Sequence, residues 1–411
     1  MSQPKPSHSL ADRSFIAFTL TQYFGAFNDN VFKQLMLLLA LTLTQADQQG
    51  TAMIVFSAPF LIFSGFAGQL SEKFAKTTVM RGAKVGELVI MIMGCIGFYT
   101  ANFPFLLFTL FLMGTQSAFF GPAKYGAIPE LLETHLLVKA NGVVQMTTFL
   151  AIILGIALAG FLKDIFADQL YVAGAFCILI ALLGIGTVYL ILPREANRPK
   201  LRISKDPFAN ITVSLRKIWT DKAMLFTVIA ASFFWFSGGV VAQAVNNYGI
   251  NLKGLDASGT SLLMVALSVG IMVGCLMCSP IQHRMGSKWT VLLGALFVAL
   301  GEGLLYFHLL PLGAIYGLLF LAGLGSGLYY VPLAAYMQAR PPMGEKGEIL
   351  AAINFCNYIG IVGSGAVWMG LIYLKIPANM GLLLLSFALV LIMVPLYGQL
   401  GHLDESGIHE D

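Results

Sequence analysis

Twelve long apolar runs separated by short polar intervals dictate what this chain can become. They occupy residues 14–44, 52–70, 79–100, 103–121, 141–162, 170–193, 223–247, 259–280, 289–309, 312–333, 349–372 and 378–400. Each is long enough to cross a hydrocarbon core, which takes about 20 residues as a helix. Only 11% of the residues are charged and 57% are hydrophobic, whereas a soluble domain carries about a quarter charged residues to cover its aqueous surface. The expected fold class is therefore an all-α, polytopic membrane protein. The runs are continuous rather than alternating, which excludes a β-barrel. Across 411 residues no polar stretch is long enough for a soluble catalytic domain, so a cytosolic enzyme, a nucleic-acid binder and a secreted disulfide scaffold are excluded as well.

Basic residues orient such a chain, because they accumulate in cytoplasmic segments. With the N-terminus inside, 20 of the 24 Lys and Arg residues fall in cytoplasmic segments, Lys84 and Lys124 among them. Lys163, Lys253 and Lys375 fall outside, and Lys33 lies within the first span. Both termini are expected in the cytoplasm. The polar segment 194–222 separates six spans from six, giving an N-terminal six-helix bundle over 1–193 and a C-terminal bundle with a short tail over 223–411. Within that segment Phe208, Ile211, Leu215 and Trp219 recur at helical spacing beside Arg216 and Lys217. This reads as an amphipathic helix lying on the cytoplasmic leaflet. The five cysteines sit in apolar runs and read as small packing residues, Cys275-x-x-Cys278 included. No metal and no cofactor are expected.

The two halves resemble each other. Asp47-x-x-Gly50-Thr51 reappears as Asp256-x-x-Gly259-Thr260, 209 positions later. Phe119-Phe120-x-Pro122 returns as Tyr329-Tyr330-x-Pro332, and Gly155 and Gly160 match Gly365 and Gly370, both at an offset of 210. Two homologous six-helix bundles that both start on the cytoplasmic side are related by an axis along the membrane normal, the major facilitator architecture. Gly68-x-Leu70-Ser71-Glu72-Lys73-x-Ala75-Lys76 resembles that superfamily's G-x-L-x-D-R-x-G-R-K loop, with a degenerate copy at His283-Arg284-Met285-Gly286-Ser287-Lys288. It reads either as a charge latch, with Glu72 pairing to Lys73 and Lys76 and with Arg284 in the second copy, or as ordinary cytoplasmic loop charge. Gly323-x-Gly325-x-Gly327 lies inside a span with no strand before it and reads as close helix packing.

Ionisable residues at membrane depth are costly and mark function. Asp29 falls near the midplane of the first span and Lys33 follows one turn later on the same face, in a stripe with Gln22 and Ala26. The two either form a structural pair or line a solvated cavity, and the second reading is the one carried forward. Span 7 adds Gln243, Asn246 and Asn247, span 10 Tyr329 and Tyr330, and span 11 Asn354 and Asn357. Together with Asn28 and Asn30 these form the candidate substrate-binding set. Glu87 and Glu302, in spans 3 and 9, read as residues with partners inside the bundle or at the interface, ahead of the alternative that they are coupling sites. The abundance of Phe around the small polar centre suits an amphipathic solute. No His is followed five residues later by Asp, so the H-x4-D signature of glycerolipid acyltransferases is absent.

Two strings reach further. Gly25-Ala26-Phe27-Asn28-Asp29-Asn30 resembles the A-F-x-D-N signature of bacterial lysophospholipid transporters. Gly121-Pro122-Ala123-Lys124-Tyr125-Gly126, then Pro129-Glu130-Leu131 and Val138-Lys139-Ala140-Asn141-Gly142, is similar to their P-A-K-Y-G…E-L…K-A-N-G stretch, and Ser232-Phe233-Phe234-Trp235 to their span 7 opening. The resemblance implies movement of lysophospholipids to the inner leaflet of a bacterial inner membrane, by alternating access. There a cytoplasmic acyltransferase/acyl-ACP synthetase, fused in some members, would reacylate them. It implies a head-group role for Asp29 and a cytoplasmic gate containing Lys124 and Glu130, in a chain that acts as a monomer. The tail ending at Asp411 is then a free end or part of a linker. Where some members carry Arg on span 7 and Glu on span 11, this chain has Ala242-Gln243 and Gly360. Two rivals stand beside this reading: a proton-coupled exporter of amphipathic compounds, and a non-transporting anchor for an acyltransferase.

Overall fold

The computed structural model describes residues 9–42, 47–133, 136–196, 198–203, 206, 208–307, 309–341, 346–398 and 401. The tail that ends at Asp411 lies outside them. The elements run α1 (Arg13–Thr42), α2 (Gln49–Lys73), α3 (Lys76–Tyr99), α4 (Phe103–Leu131), α5 (Leu137–Ile165), α6 (Tyr171–Tyr189), α7 (Ala209–Thr220), α8 (Lys222–Asn247) with a π-helical turn (Tyr248–Leu252), α9 (Ala257–Leu304), α10 (Leu312–Ala339), α11 (Lys346–Tyr373) and α12 (Ala378–Tyr397). Lipid supplies no hydrogen bonds, so each apolar run satisfies its own backbone as a helix. Among the described residues nine helices are long and apolar enough to cross a membrane. α1 and α3 have the length, 30 and 24 residues, but carry Asp29 with Lys33 and Lys84 with Glu87 in their interiors. α9 is two helices in one. Gly286, at φ 82° and ψ 163°, breaks it in a conformation open to glycine alone. Counting its two arms separately and leaving α7 aside, the described residues contain the twelve expected spans.

Helix starts follow the local sequence. Asp256 Oδ1 accepts from the Gly259 amide at 2.7 Å and Asp47 Oδ1 from the Gln49 amide at 2.9 Å, so the repeated Asp-x-x-Gly-Thr string is a helix-opening device. Asn102 and Asp221 cap α4 and α8 in the same way.

The chain divides into two compact units, Met1–Leu39 with Val55–Pro207, and Ala40–Ile54 with Phe208–Asp411. The first unit buries Phe15, Phe18, Met80, Ile128, Val144 and Val188 in one cluster. In the second, Met224, Val228, Val291, Leu333, Tyr336 and Leu396 form a core that also takes in Ile211 and Ile218 of α7. The linker helix thus packs part of its apolar face on protein, while Phe208 and Trp219 stay exposed. α7 is amphipathic, and a single residue joins it to α8, which sets Ile211, Leu215 and Ile218 against that core. Trp219 remains 73% exposed.

Close helix contact in the second unit depends on the glycines of α10. A Cβ at Gly323 would strike the Leu267 carbonyl, one at Gly327 would lie 2.5 Å from the Cys275 nitrogen, and one at Gly325 2.5 Å from the Gly294 carbonyl. Gly323 and Gly327 thus face the first arm of α9, and Gly325 faces the second. The contacts advance along α10 in step with the first arm and in reverse along the second, so the two arms double back on each other. Gly323→Leu is expected to destabilise the protein by about 1–3 kcal/mol through overpacking. Gly317→Leu, with nothing within 4 Å of its Cβ position, should leave stability unchanged; thermal melting of the purified protein in nanodiscs compares them.

Candidate functional site

The first unit holds a polar track along the inner face of α1. Asp29 lies midway along this helix, and its Oδ2 accepts from Ser117 Oγ of α4 at 2.6 Å. Its buried Oδ1 has no hydrogen-bond partner. Lys33 donates to Asn30 Oδ1 at 3.1 Å and stands 5.5 Å above the Phe56 ring, while Asn30 itself donates to the Ala26 carbonyl at 2.7 Å. Asp29 and Lys33 therefore share a face, as i and i+4 spacing requires, yet each is held by a neutral neighbour rather than by the other. No direct hydrogen bond joins the two, although their charges interact. Two turns earlier Gln22 bridges to α5, donating to Thr147 Oγ1 at 2.7 Å and accepting from Thr148 at 2.9 Å. Lys124 of α4 reaches the same Thr148 at 3.5 Å.

Beside this track lies a sealed charge pair. Lys84 Nζ and Glu87 Oε2 of α3 are 2.6 Å apart, each 1% exposed, and Asn28 Nδ2 donates to the second Glu87 oxygen at 2.8 Å. The lysine stem packs where side chains on Gly25 of α1 or Gly184 of α6 would sit. Lys84 and Lys124, assigned from sequence to cytoplasmic segments, are thus inside helices of the bundle. Asn28 serves Glu87 rather than facing a cavity beside Asp29.

At the other end of these helices the ion pair is Lys76–Glu130, 2.6 Å long and mostly buried. The acid that engages Lys76 is thus Glu130 of α4, whereas Glu72 contributes its backbone carbonyl to the Arg198 amide at 2.9 Å. Lys73 lies over Phe74 at 5.9 Å, and Arg284 is exposed.

In the second unit most sequence-predicted polar residues go into packing networks. Asn246 donates to Gln49 Oε1 at 3.0 Å, and Asn247 and Trp368 donate to Asp47 Oδ2 at 3.0 and 3.1 Å. Gln49 donates to the Gln243 carbonyl at 3.2 Å, and Gln243 donates to the Gly239 carbonyl at 2.8 Å. These groups tie the opening of α2 to α8 and α11. Tyr329 is buried with its hydroxyl on the Ala230 carbonyl at 3.1 Å, and Tyr330 stacks on Phe234 with centroids 4.5 Å apart. Asn357 accepts from Ser232 at 3.1 Å, while Asn354 is exposed. Gly360 explains one departure from the family pattern: its Cβ position is 2.6 Å from the Ser232 carbonyl, so no side chain fits there while α8 and α11 stay this close. Sequence reading missed Ser117, Thr147, Thr148, Lys84, Asp47, Gln49 and Trp368 as partners. Of these, only Asp47 had a signal, in the repeated helix-opening string.

Comparison with known proteins agrees with this architecture. Residues 10–365 match the sequence profile described as Major Facilitator Superfamily. The lysophospholipid transporter LplT of Enterobacter sp. (strain 638) is 30% identical over 354 residues, covering 81% of this chain and 82% of that protein. LplT of Pectobacterium carotovorum subsp. carotovorum (strain PC1) is 28% identical over 382 residues, covering 89% and 91%. Among solved structures, a POT family transporter in complex with 5-aminolevulinic acid aligns with a TM-score of 0.75 at 13% identity, over 97% of this chain and 99% of that one. A D-xylose-proton symporter aligns with a TM-score of 0.71 at 16% identity, over 93% and 98%. The chain belongs to the Major Facilitator Superfamily and, within it, to the LplT-type transporters.

Proposed function

We propose that this protein moves lysophospholipids from the outer to the inner leaflet of a bacterial inner membrane by alternating access, with both termini in the cytoplasm and without catalysing a reaction itself. The observation that carries the reading is Asp29: a carboxylate midway along a spanning helix, with one oxygen fixed by Ser117 and the other unengaged. A lysophospholipid head group carries anionic phosphate and, in some classes, an amine. Asp29 answers the amine, and Lys33 and Lys124, which flank it along the track, answer the phosphate. Burial strengthens both interactions by lowering the local dielectric. The acyl chain needs only apolar helix surface, which the spans supply throughout. Lys76 and Glu130, with Glu72, Lys73 and Arg284 as neighbouring or repeat-related charges, act as the cytoplasmic latch. The product is handed to a cytoplasmic or fused acyltransferase, and the transporter acts as a monomer.

Two outcomes test this. Asp29→Asn, which keeps the shape and removes the charge, should reduce uptake of labelled lysophosphatidylethanolamine into proteoliposomes at least tenfold with expression unchanged. Uptake within twofold of wild type would reject the role. Glu130→Gln removes the partner of a nearly buried lysine and should raise the labelling of cysteines placed at the cytoplasmic helix ends several-fold. Unchanged labelling would remove Lys76–Glu130 from the gate.

A further inference from the structure

Two glutamates lie buried in the interior of the two units, and they are treated differently. Glu87, in the third span of the first half, is hydrogen-bonded by Asn28 of the first span and neutralised by Lys84 three residues before it. Glu302, in the third span of the second half, is 3% exposed. It lines one cavity together with Ser237 of the seventh span. Asn28 and Ser237 stand 209 positions apart, matching the offset of the internal repeat. The position three residues before Glu302, as Lys84 is three before Glu87, is Ala299. The second unit thus also sets a buried carboxylate in its third span near a polar group of its first span, although Glu87 and Glu302 are 215 positions apart and not at the repeat offset, and it lacks the built-in ammonium.

What stands there instead is a cavity of about 50 Å³ beside Glu302, lined also by Phe233, Ser237, Ser326 and Tyr329. Glu302 Oε2 has no hydrogen-bond partner among the described residues. The lining residues from α8, from the first arm of α9 and from α12 include no ionisable side chain, and α10 contributes only Tyr329, whose hydroxyl is committed to Ala230. A carboxylate with no counter-charge in such surroundings is expensive, and a single positive charge removes that cost.

We infer that Glu302 and its cavity bind one exchangeable monovalent cation, Na⁺ or a proton, in place of the ammonium that Lys84 supplies in the first unit. Glu302 carries the negative charge, and the hydroxyls of Ser237 and Ser326 provide neutral oxygens within the same cavity. The site goes beyond the lipid reading and is independent of it, since it requires no substrate.

The test is thermal melting of the full-length protein in nanodiscs without lysolipid, with NaCl exchanged for choline chloride at constant ionic strength, and separately across a pH series. In wild type, a Na⁺ site gives a saturable rise of about 2–4 °C in Tm, and a proton site gives a Tm that falls as pH is raised. Glu302→Gln, which is neutral, and Ala299→Lys, which installs the missing ammonium, should each abolish the dependence seen in wild type. A wild-type Tm flat in both series, or a dependence that persists in Glu302→Gln, overturns the inference. If Ala299→Lys does not fold, wild type and Glu302→Gln decide it alone. Lysolipid uptake by Asp29→Asn and by wild type is measured separately, so failure of the ion site and failure of the lipid reading give different results.

Discussion

A hydrocarbon solvent offers no hydrogen bonds, and every feature of this molecule follows from that deprivation. Backbone groups must close on themselves, so each apolar run is a helix. Once the backbone is satisfied, little hydrophobic force remains to hold one helix against another, because lipid tails are as apolar as leucine. The helices here adhere by two other means. One is backbone approach at glycine, as where α10 meets both arms of α9. The other is hydrogen bonding between buried polar side chains far apart in sequence, as where Asn247 and Trp368 converge on Asp47.

The same scarcity makes unspent polarity informative. Most buried polar groups are used up locally: Glu87 by Lys84 and Asn28, Gln22 by two threonines, Tyr329 by a carbonyl. Neutral oxygens such as Asn28 Oδ1 and Gln243 Oε1 also lack partners, but among the described residues the buried carboxylate oxygens without one are those of Asp29 and Glu302. The two lie in different units. On the proposed readings these two carboxylates divide the labour, with a head-group contact in the first unit and an ion contact in the second.

How far the sequence could be read depended on the length scale of each interaction. Twelve spans were legible because span length is set by bilayer thickness, and the repeat was legible because its offset is constant. Gly323, Gly325 and Gly327 announced a close crossing, although not that two arms of one helix share it. Lys84 was misplaced because the positive-inside rule counts charge near span ends and does not sense depth, and Lys84 stands only eight residues into α3. Ser117, Thr147 and Thr148 gave no signal at all. A hydroxyl in a span can satisfy itself on the carbonyl one turn back, as Thr147 and Thr148 also do, so its presence does not announce a second role. The asparagines of span 7 were recognised as unusual and assigned to substrate, because their partners Gln49 and Asp47, 197 and 200 residues away, are invisible to any local pattern.

The single-residue break at Gly286 has a mechanical consequence. Two arms that double back around one glycine, both in backbone contact with α10, form a three-rod plate with little freedom to slide. Glu302 is mounted on that plate, as are Ser326 and Tyr329. Ser237 and Phe233 are mounted on α8 instead, outside the plate. The carboxylate is therefore the fixed pole of its cavity, and any opening or closing around it has to come from α8 or from α12, which supplies Leu389.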